Sequence, residues 1–330
     1  MRPTIHTVAD KAGVSIATVS RYLNGSARVS PATAAKVQRA VDELGYVPNA
    51  AARGLATNTT HTFAFVYPQP ATADISALIG GAEQSAHENN YHLLIHGAVP
   101  AKPDNPDRVL DLLGTRVDGV ILASESIRMS FLRDLRRRQV PVVMLGQKPG
   151  VIAADSIVPD NAAGAEAAVT HLLGHGRRRI AMITSPPNRP HLDDRERGYR
   201  AALRIHGIDI EPDLIVREDF SEAGGYRAMA KLLARKPWPD AVFAVSDTIA
   251  IGALSAIHET ILRIPQDIAL IGFDDLITAR YLNPPLTTVH YDIAGAGRRA
   301  VDMLCARCEG SELPPQTILL PTRLITRRTC

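Results

Sequence analysis

No apolar run in the sequence approaches the roughly 18 residues needed to cross a bilayer, so no membrane partner is expected. The first residues, Met-Arg-Pro-Thr-Ile-His-Thr, carry charge but neither an apolar h-region nor a small-residue cleavage site. An export signal is therefore not expected, and the cytoplasm is the expected compartment. Cysteine is scarce, with Cys305, Cys308 and Cys330 all close to the C-terminus. Cys305 and Cys308 form a C-x-x-C, which offers a redox pair, half of a metal site or simply two thiols one helical turn apart in a reducing compartment. A zinc site takes about four ligands, and neither a second C-x-x-C nor an H-x-x-x-H is read as completing one, so the plain pair of thiols is expected and no metal. Catalytic patterns are missing as well. There is no nucleophile elbow and no glycine loop to cradle phosphates. No enzyme activity, catalytic residue or cofactor is expected.

What is present is a globular chain of 330 residues, 45% hydrophobic and 22% charged, long enough for two or three domains. Its formal net charge is only +3, but the charge is uneven. Residues 1–60 hold seven basic side chains (Arg2, Lys11, Arg21, Arg28, Lys36, Arg39 and Arg53) against three acidic ones. A small basic module on a near-neutral body points to a polyanionic partner for the module alone.

The module reads as three short helices. Thr4 caps a helix through Ala12 that Gly13 closes, and Ser15 caps a second from Ile16 to Leu23, ended by Asn24-Gly25. Ser30-Pro31 opens a third that runs to Leu44 and stops at Gly45. Val8, Val19, Leu23, Val37, Val41 and Leu44 are spaced to form one small core. The tight Gly13-Val14-Ser15 turn makes the first two helices a helix-turn-helix, whose second helix enters the DNA major groove. Thr18, Ser20, Arg21 and Asn24 offer hydrogen bonds to DNA, and the start of the second helix offers free N–H groups to a phosphate.

Val8-Ala9, Ala12-Gly13-Val14-Ser15, Ala17-Thr18-Val19-Ser20-Arg21 and Leu23-Asn24, then Val29-Ser30, Leu44-Gly45-Tyr46 and Pro48-Asn49, closely resemble the headpiece of LacI/GalR-family regulators. The resemblance implies base reading by Ile16, Ala17 and Arg21. Arg21 can pair bidentately with guanine, while Ile16 and Ala17 offer apolar contact to thymine methyls. Ser15, Thr18, Asn24 and Arg28 are then expected at the DNA backbone or flanks. Residues 49–58 are alanine-rich and too short for a stable free helix, and resemble the family's hinge helix, which orders on DNA. Leu55 would be the wedge that kinks the central base step, with Asn49 and Arg53 at the groove walls.

From residue 61, short apolar strands alternate with amphipathic helices. Strands are predicted at 62–67, 91–96, 117–122, 140–145, 179–184, 214–217, 240–245 and 267–273, and helices at 75–88, 161–173, 195–206, 222–234 and 247–258. This alternation predicts an α/β body of parallel sheets, in two subdomains, with ligands at the carboxyl ends of strands. The family resemblance continues through His171-Leu172-Leu173-Gly174-His175-Gly176, Arg179-Ile180-Ala181, Gly198-Tyr199, Ala244-Val245-Ser246-Asp247, Ile271-Gly272-Phe273-Asp274-Asp275 and the crossover strand Pro285-Leu286-Thr287-Thr288-Val289. It implies a periplasmic-binding-protein-like fold with a cleft between subdomains. The expected division is a headpiece at 1–48, a hinge at 49–60 and a body at 61–330. Within the body, about 61–159 with 289–318 form one subdomain and 160–288 with 319–330 the other.

The resemblance places Arg195, Asp247 and Asp274 against a small-molecule effector, with Phe220 as the aromatic that meets a sugar ring. Where the family usually has an aspartate, this chain has Gly146-Gln147, which removes one hydroxyl-binding carboxylate and makes Gln147 a candidate contact. The loop from Pro68 to Asp74 carries two prolines and no aromatic, and Tyr291 follows the crossover strand within reach of the pocket. The runs 136–138 and 177–179, three arginines each, read as solvated helix ends.

Together these features predict a nucleoid-associated repressor of a sugar operon. A C2 homodimer would bind palindromic double-stranded operator DNA and be released by a small sugar, a glucoside among the candidates. A homodimer rather than a tetramer is expected, since no leucine heptad tail is present. The alternatives are a non-sugar effector or a sugar carrier, though a carrier has no use for the headpiece.

Overall fold

The computed structural model describes residues 3–24, 29–46, 59–68, 72–98, 117–123, 129–147, 154–187 and 189–330. The chain divides into two compact units, with the break between Thr62 and Phe63 and with Asp118 counted in the first.

The first unit holds α1 (Ile5–Ala12), α2 (Ile16–Asn24) and α3 (Pro31–Leu44). Each starts and stops where local chemistry dictates. The Thr4 hydroxyl accepts from the Thr7 N–H while the Thr7 hydroxyl accepts from the Thr4 N–H, a reciprocal cap. Gly13 then ends α1 in the left-handed conformation, at φ 65°. Ser15 accepts from the Thr18 N–H at 3.2 Å at the start of α2. Ser30 caps α3, with Pro31 at the first helical position and Gly45 at its end. Val8, Ala9, Ala12, Val19, Val37 and Ala40 are buried together, with Leu23, Val41 and Leu44 packed around them. Lys11–Glu43 and the Tyr22–Gln38–Asp42 chain tie the helices at the surface.

The second unit is built on two six-stranded sheets. The first contains β1 (Thr62–Pro68), β2 (His92–Ala98), β3 (Gly119–Leu122), β4 (Val142–Leu145), β5 (Asp155–Pro159) and β11 (Thr317–Leu320), in the order β11-β5-β4-β3-β1-β2. The second contains β6 (Ile180–Thr184), β7 (Ile215–Arg217), β8 (Ala241–Ala244), β9 (Ala269–Asp274), β10 (Thr287–His290) and β12 (Arg323–Ile325), in the order β12-β10-β9-β8-β6-β7. The pairs whose register is resolved run parallel, except β10 with β12. Strands β3, β6, β8 and β9 are buried throughout, the state expected of parallel strands covered on both faces.

Seven helices cover these sheets among the described residues: α4 (Ile75–Glu88), α5 (Met129–Arg137), α6 (Asn161–Gly174), α7 (Pro190–Ile205), α8 (Glu222–Leu233), α9 (Asp247–His258) and α10 (Ile293–Cys308). Glycine brings three pairs together. A Cβ on Gly81 of α4 would stand 1.9 Å from the Ala294 carbonyl oxygen on α10, and one on Gly252 of α9 would stand 1.8 Å from that of Glu222 on α8. A Cβ on Gly198 of α7 would meet the Ala162 oxygen of α6 at 2.2 Å. No described helix is long and apolar enough to cross a membrane.

The chain passes between sheets three times, after β5, after β10 and after β11. The changeovers expected at 289 and 318 thus fall slightly later, because β10 stays in the second sheet through His290 and β11 in the first through Leu320. Helix α7 starts at Pro190, five residues before the expected start at 195, because Pro190 takes the first helical position. The arginine run at 177–179 is not simply solvated. Arg177 donates to the Pro265 and Gln266 carbonyls, and Arg179 pairs with Glu211 at 2.7 Å. Cys305 and Cys308 lie one turn apart on α10, the first buried and the second exposed.

Candidate functional site

Two surfaces collect the residues singled out in the sequence. On α2, Ile16, Ala17 and Arg21 are exposed while Val19 is fully buried. Ala17 and Arg21 are one helical turn apart and share a face. Ile16 keeps 40% of its surface in solvent, although burying it would be favourable. That exposure suits a residue that presses on another surface. Ser15 and Thr18 hydroxyls bond each other at 2.9 Å, so both already help start the helix. Asn24 closes α2. Arg28, Asn49, Arg53 and Leu55 lie outside the described residues.

The second surface is a cavity of about 400 Å3 in the body, within the size range of small-molecule sites. Its walls come from the carboxyl ends of strands in both sheets. Asp74 and Ile75 follow β1, Ala123 follows β3, Gly146 follows β4 and Pro159 ends β5. From the other sheet come Ser185 after β6, Asp219 and Phe220 after β7, Asp274 at the end of β9 and Tyr291 after β10. Helix α7 contributes His191 and Arg195, and α6 contributes Asn161.

Arg195 organises the wall. It is 3% exposed, and three groups hold its guanidinium. Nε donates to Asn161 Oδ1 at 2.8 Å, Nη2 to Asp274 Oδ1 at 3.1 Å, and Nη1 to the Val245 carbonyl. The guanidinium carbon stands 3.6 Å from the Phe273 ring centroid, a cation–π contact in a desolvated place. Asn161 is thereby oriented with its Nδ2 buried and without a hydrogen-bond partner among the described residues. A buried amide donor left in that state costs about 1–3 kcal/mol unless a ligand accepts from it.

Asp274 sits at φ 106° and Asp275 at φ 52°, so this strand end is held in a conformation that L-residues rarely adopt. Burial pushes the Asp274 carboxyl up to about 7, with Arg195 opposing and Asp74 reinforcing the rise. Burial also raises the Tyr291 phenol well above its ordinary value, so it stays a hydrogen-bond donor near pH 7. Phe220 is half-buried, with the Arg189 guanidinium 5.3 Å from its ring centroid.

Of the six residues expected at the effector, Arg195, Phe220, Asp274 and Tyr291 are on the cavity wall. Asp247 is not. It is fully buried behind the wall, where its two carboxylate oxygens accept from the Leu276 N–H at 2.8 Å and the Thr288 hydroxyl at 2.5 Å. It braces the 274–276 turn. Burial raises its pKa well above the ordinary value, as does the neighbouring Asp274 charge. Gln147 is also off the wall, and its neighbour Gly146, at φ 77°, lines it instead. Sequence reasoning missed Asp74, Asn161, Ser185 and His191. Asn161 had a usable signal, since it directly follows a capping aspartate at a strand end.

A helix-turn-helix with an exposed reading face, joined to a two-sheet body with a cavity of mixed polar and apolar lining at the strand ends, defines a DNA-binding regulator with a ligand-binding body. Residues 4–49 match the model for bacterial regulatory proteins of the lacI family, and residues 169–330 match the periplasmic binding protein-like domain. The chain is 36% identical over 327 residues to the ribose operon repressor of Escherichia coli (strain K12), covering 98% of each. A transcriptional regulator CelR–cellobiose complex is 34% identical, with a TM-score of 0.76 over 100% of both chains. The lac repressor dimer bound to operator and the anti-inducer ONPF is 28% identical, with a TM-score of 0.88 over 100% of this chain and 99% of that one. The chain belongs to the LacI family of bacterial transcriptional regulators, which are not enzymes.

Proposed function

We propose that this protein is a sugar-responsive repressor acting in the cytoplasm. As a homodimer it holds a palindromic operator through its headpieces and changes its grip when a sugar fills the cavity. The observation that carries this reading is one cavity lined by Arg195, Asp274, Asn161 and Phe220. A carboxylate, a guanidinium and an amide offer both donors and acceptors to vicinal hydroxyls, and an aromatic face suits the C–H face of a sugar ring. Relatives named for ribose and cellobiose support the ligand class.

On DNA, Arg21 pairs with a guanine, and Ile16 and Ala17 touch base edges. Ser15, Thr18, Asn24 and Arg28 position the helix on the backbone, and Asn49, Arg53 and Leu55 act at the minor groove. The effector binds the low-affinity state more tightly and shifts the population towards it.

The test is a thermal-shift screen of pentoses, hexoses and glucosides including ribose and cellobiose, followed by gel shifts on DNA upstream of the neighbouring genes. A sugar that raises the melting temperature should also release the DNA. If no sugar moves either readout, the sugar reading fails. If Leu55→Ala leaves operator affinity unchanged, the wedge fails separately.

A further inference from the structure

At the opposite end of α6 from Asn161, three metal-capable side chains meet. His171 and His175 stand one turn apart, His175 being the helix C-cap, with ring centroids 4.3 Å apart. Cys330 reaches the same place from the C-terminal tail. One nitrogen of each ring and the Cys330 Sγ all lie within 4.8 Å of one another. The tail is held there by its neighbour. Thr329 is fully buried, its hydroxyl accepting from the Thr287 N–H at 2.8 Å and its carbonyl from the Leu270 N–H at 2.9 Å.

Three observations point to a ligand. His171 Nε2 is buried and has no hydrogen-bond partner among the described residues. His175 Nδ1 lies 2.9 Å from the His171 carbonyl oxygen. An N–H there leaves the Nε2 lone pair for ligation, the arrangement in which ring-to-carbonyl bonds orient metal-bound imidazoles. The C-terminal end of a helix also carries partial negative charge, which favours a cation.

We propose that His171, His175 and Cys330 bind a divalent transition metal of the zinc class, with the fourth position taken by water. Two imidazoles and a thiolate suit this class and not calcium or magnesium. Tetrahedral ligation asks for ligand atoms about 3.5 Å apart, so the cluster closes by side-chain rotation. On binding, the Cys330 thiol gives its proton to solvent and a sulfur–metal bond forms. The metal would join the tail to α6. Helix α6 also lines the cavity through Asn161, and the tail's Arg327 donates to Asp275, the neighbour of the wall residue Asp274.

Untagged full-length protein, stripped with chelator, is titrated with zinc chloride against a chromophoric competitor and with cobalt chloride by absorbance. Expected are about one metal per chain, a thiolate-to-cobalt charge-transfer band and a zinc-dependent rise in melting temperature. Cys330→Ala and His171→Gln should each weaken binding by more than about tenfold, since even an outer-shell change costs that much. Cys308→Ser should leave binding unchanged. His171→Gln lies on a core helix and can misfold, so Cys330→Ala, checked by circular dichroism, decides. No zinc binding, or a cobalt band that survives Cys330→Ala, overturns the proposal. A band lost in Cys308→Ser assigns the metal to the C-x-x-C and overturns it equally.

Discussion

Asp274 and Arg195 meet as a buried pair whose carboxylate is mostly ionised only above about pH 7. Arg195→Met should lower stability in urea unfolding by about 1–3 kcal/mol, because the Asn161 Oδ1 and the Val245 carbonyl lose a buried donor while Asp274 can keep its proton. The loss should be larger at about pH 8, where the parent carboxylate is ionised, than at about pH 5, and an equal loss at both would contradict the pairing. The Asp274 carboxyl also predicts a pH dependence. Its pKa is about 7 in the folded chain against an ordinary value of 3.8. Between those values the folded chain holds a proton that the unfolded chain has released, so its contribution to stability declines as pH rises from about 4 to about 7. Thermal melts across that window should show a shallower slope for Asp274→Asn than for the parent. The slope should not vanish, because buried Asp247 acts in the same direction. On the headpiece, Arg21→Ala should cost about 1–3 kcal/mol of operator affinity by fluorescence anisotropy, concentrated at one base pair of each half-site.

Helix α4 offers an internal comparison between adjacent glycines. Gly80 is exposed with nothing within 4 Å of an added Cβ, whereas one on Gly81 would stand 1.9 Å from a backbone oxygen of α10. Gly80→Ala should therefore stabilise by about 0.5–1 kcal/mol through helix propensity. Gly81→Ala should destabilise by about 1–3 kcal/mol through overpacking. Chemical denaturation of the pair reads both signs, and equal effects would dispose of the close-packing account. The same elements show what a sequence can and cannot convey. Helices α1, α3, α4 and α9 announce themselves through Thr4, Ser30-Pro31, Gly13 and Gly45, or through unbroken helical periodicity. Strands β11 and β12 were not legible, because they are short, partly exposed edge strands whose partners lie far away along the chain. Arg195 and Asp274 were found because the motifs around them resemble those of the LacI/GalR family, although Arg195 lies inside α7 and not at its start. The inward turn of Asp247 was not, since the Thr288 hydroxyl and Leu276 N–H that capture it come from other elements. Nor was the His171–His175–Cys330 cluster, although the one-turn spacing of the two histidines was there to be read.

For the whole molecule, effector and DNA must affect each other by the same factor. If a sugar weakens operator binding tenfold, operator DNA must weaken sugar binding tenfold, because the coupling free energy belongs to the pair. Calorimetric titration of the sugar with and without saturating operator measures one arm and anisotropy the other. Unequal factors would mean that the two ligands do not act through one equilibrium. Operator affinity should also fall linearly with salt on logarithmic axes, as expected for a basic headpiece that displaces counterions.

The three passages of the chain between sheets set an order of events during synthesis. The first sheet begins at Thr62, yet its edge strand β11 is not made until residue 320. A domain whose N-terminal half is translated first would ordinarily fold first. Here the first half emerges with the β5 edge still open and α10, the partner of α4, still missing. It must wait for nearly the whole chain with that apolar surface uncovered. The nascent protein is thus most exposed to aggregation while its second sheet is being translated, and chaperone demand should peak there rather than at release.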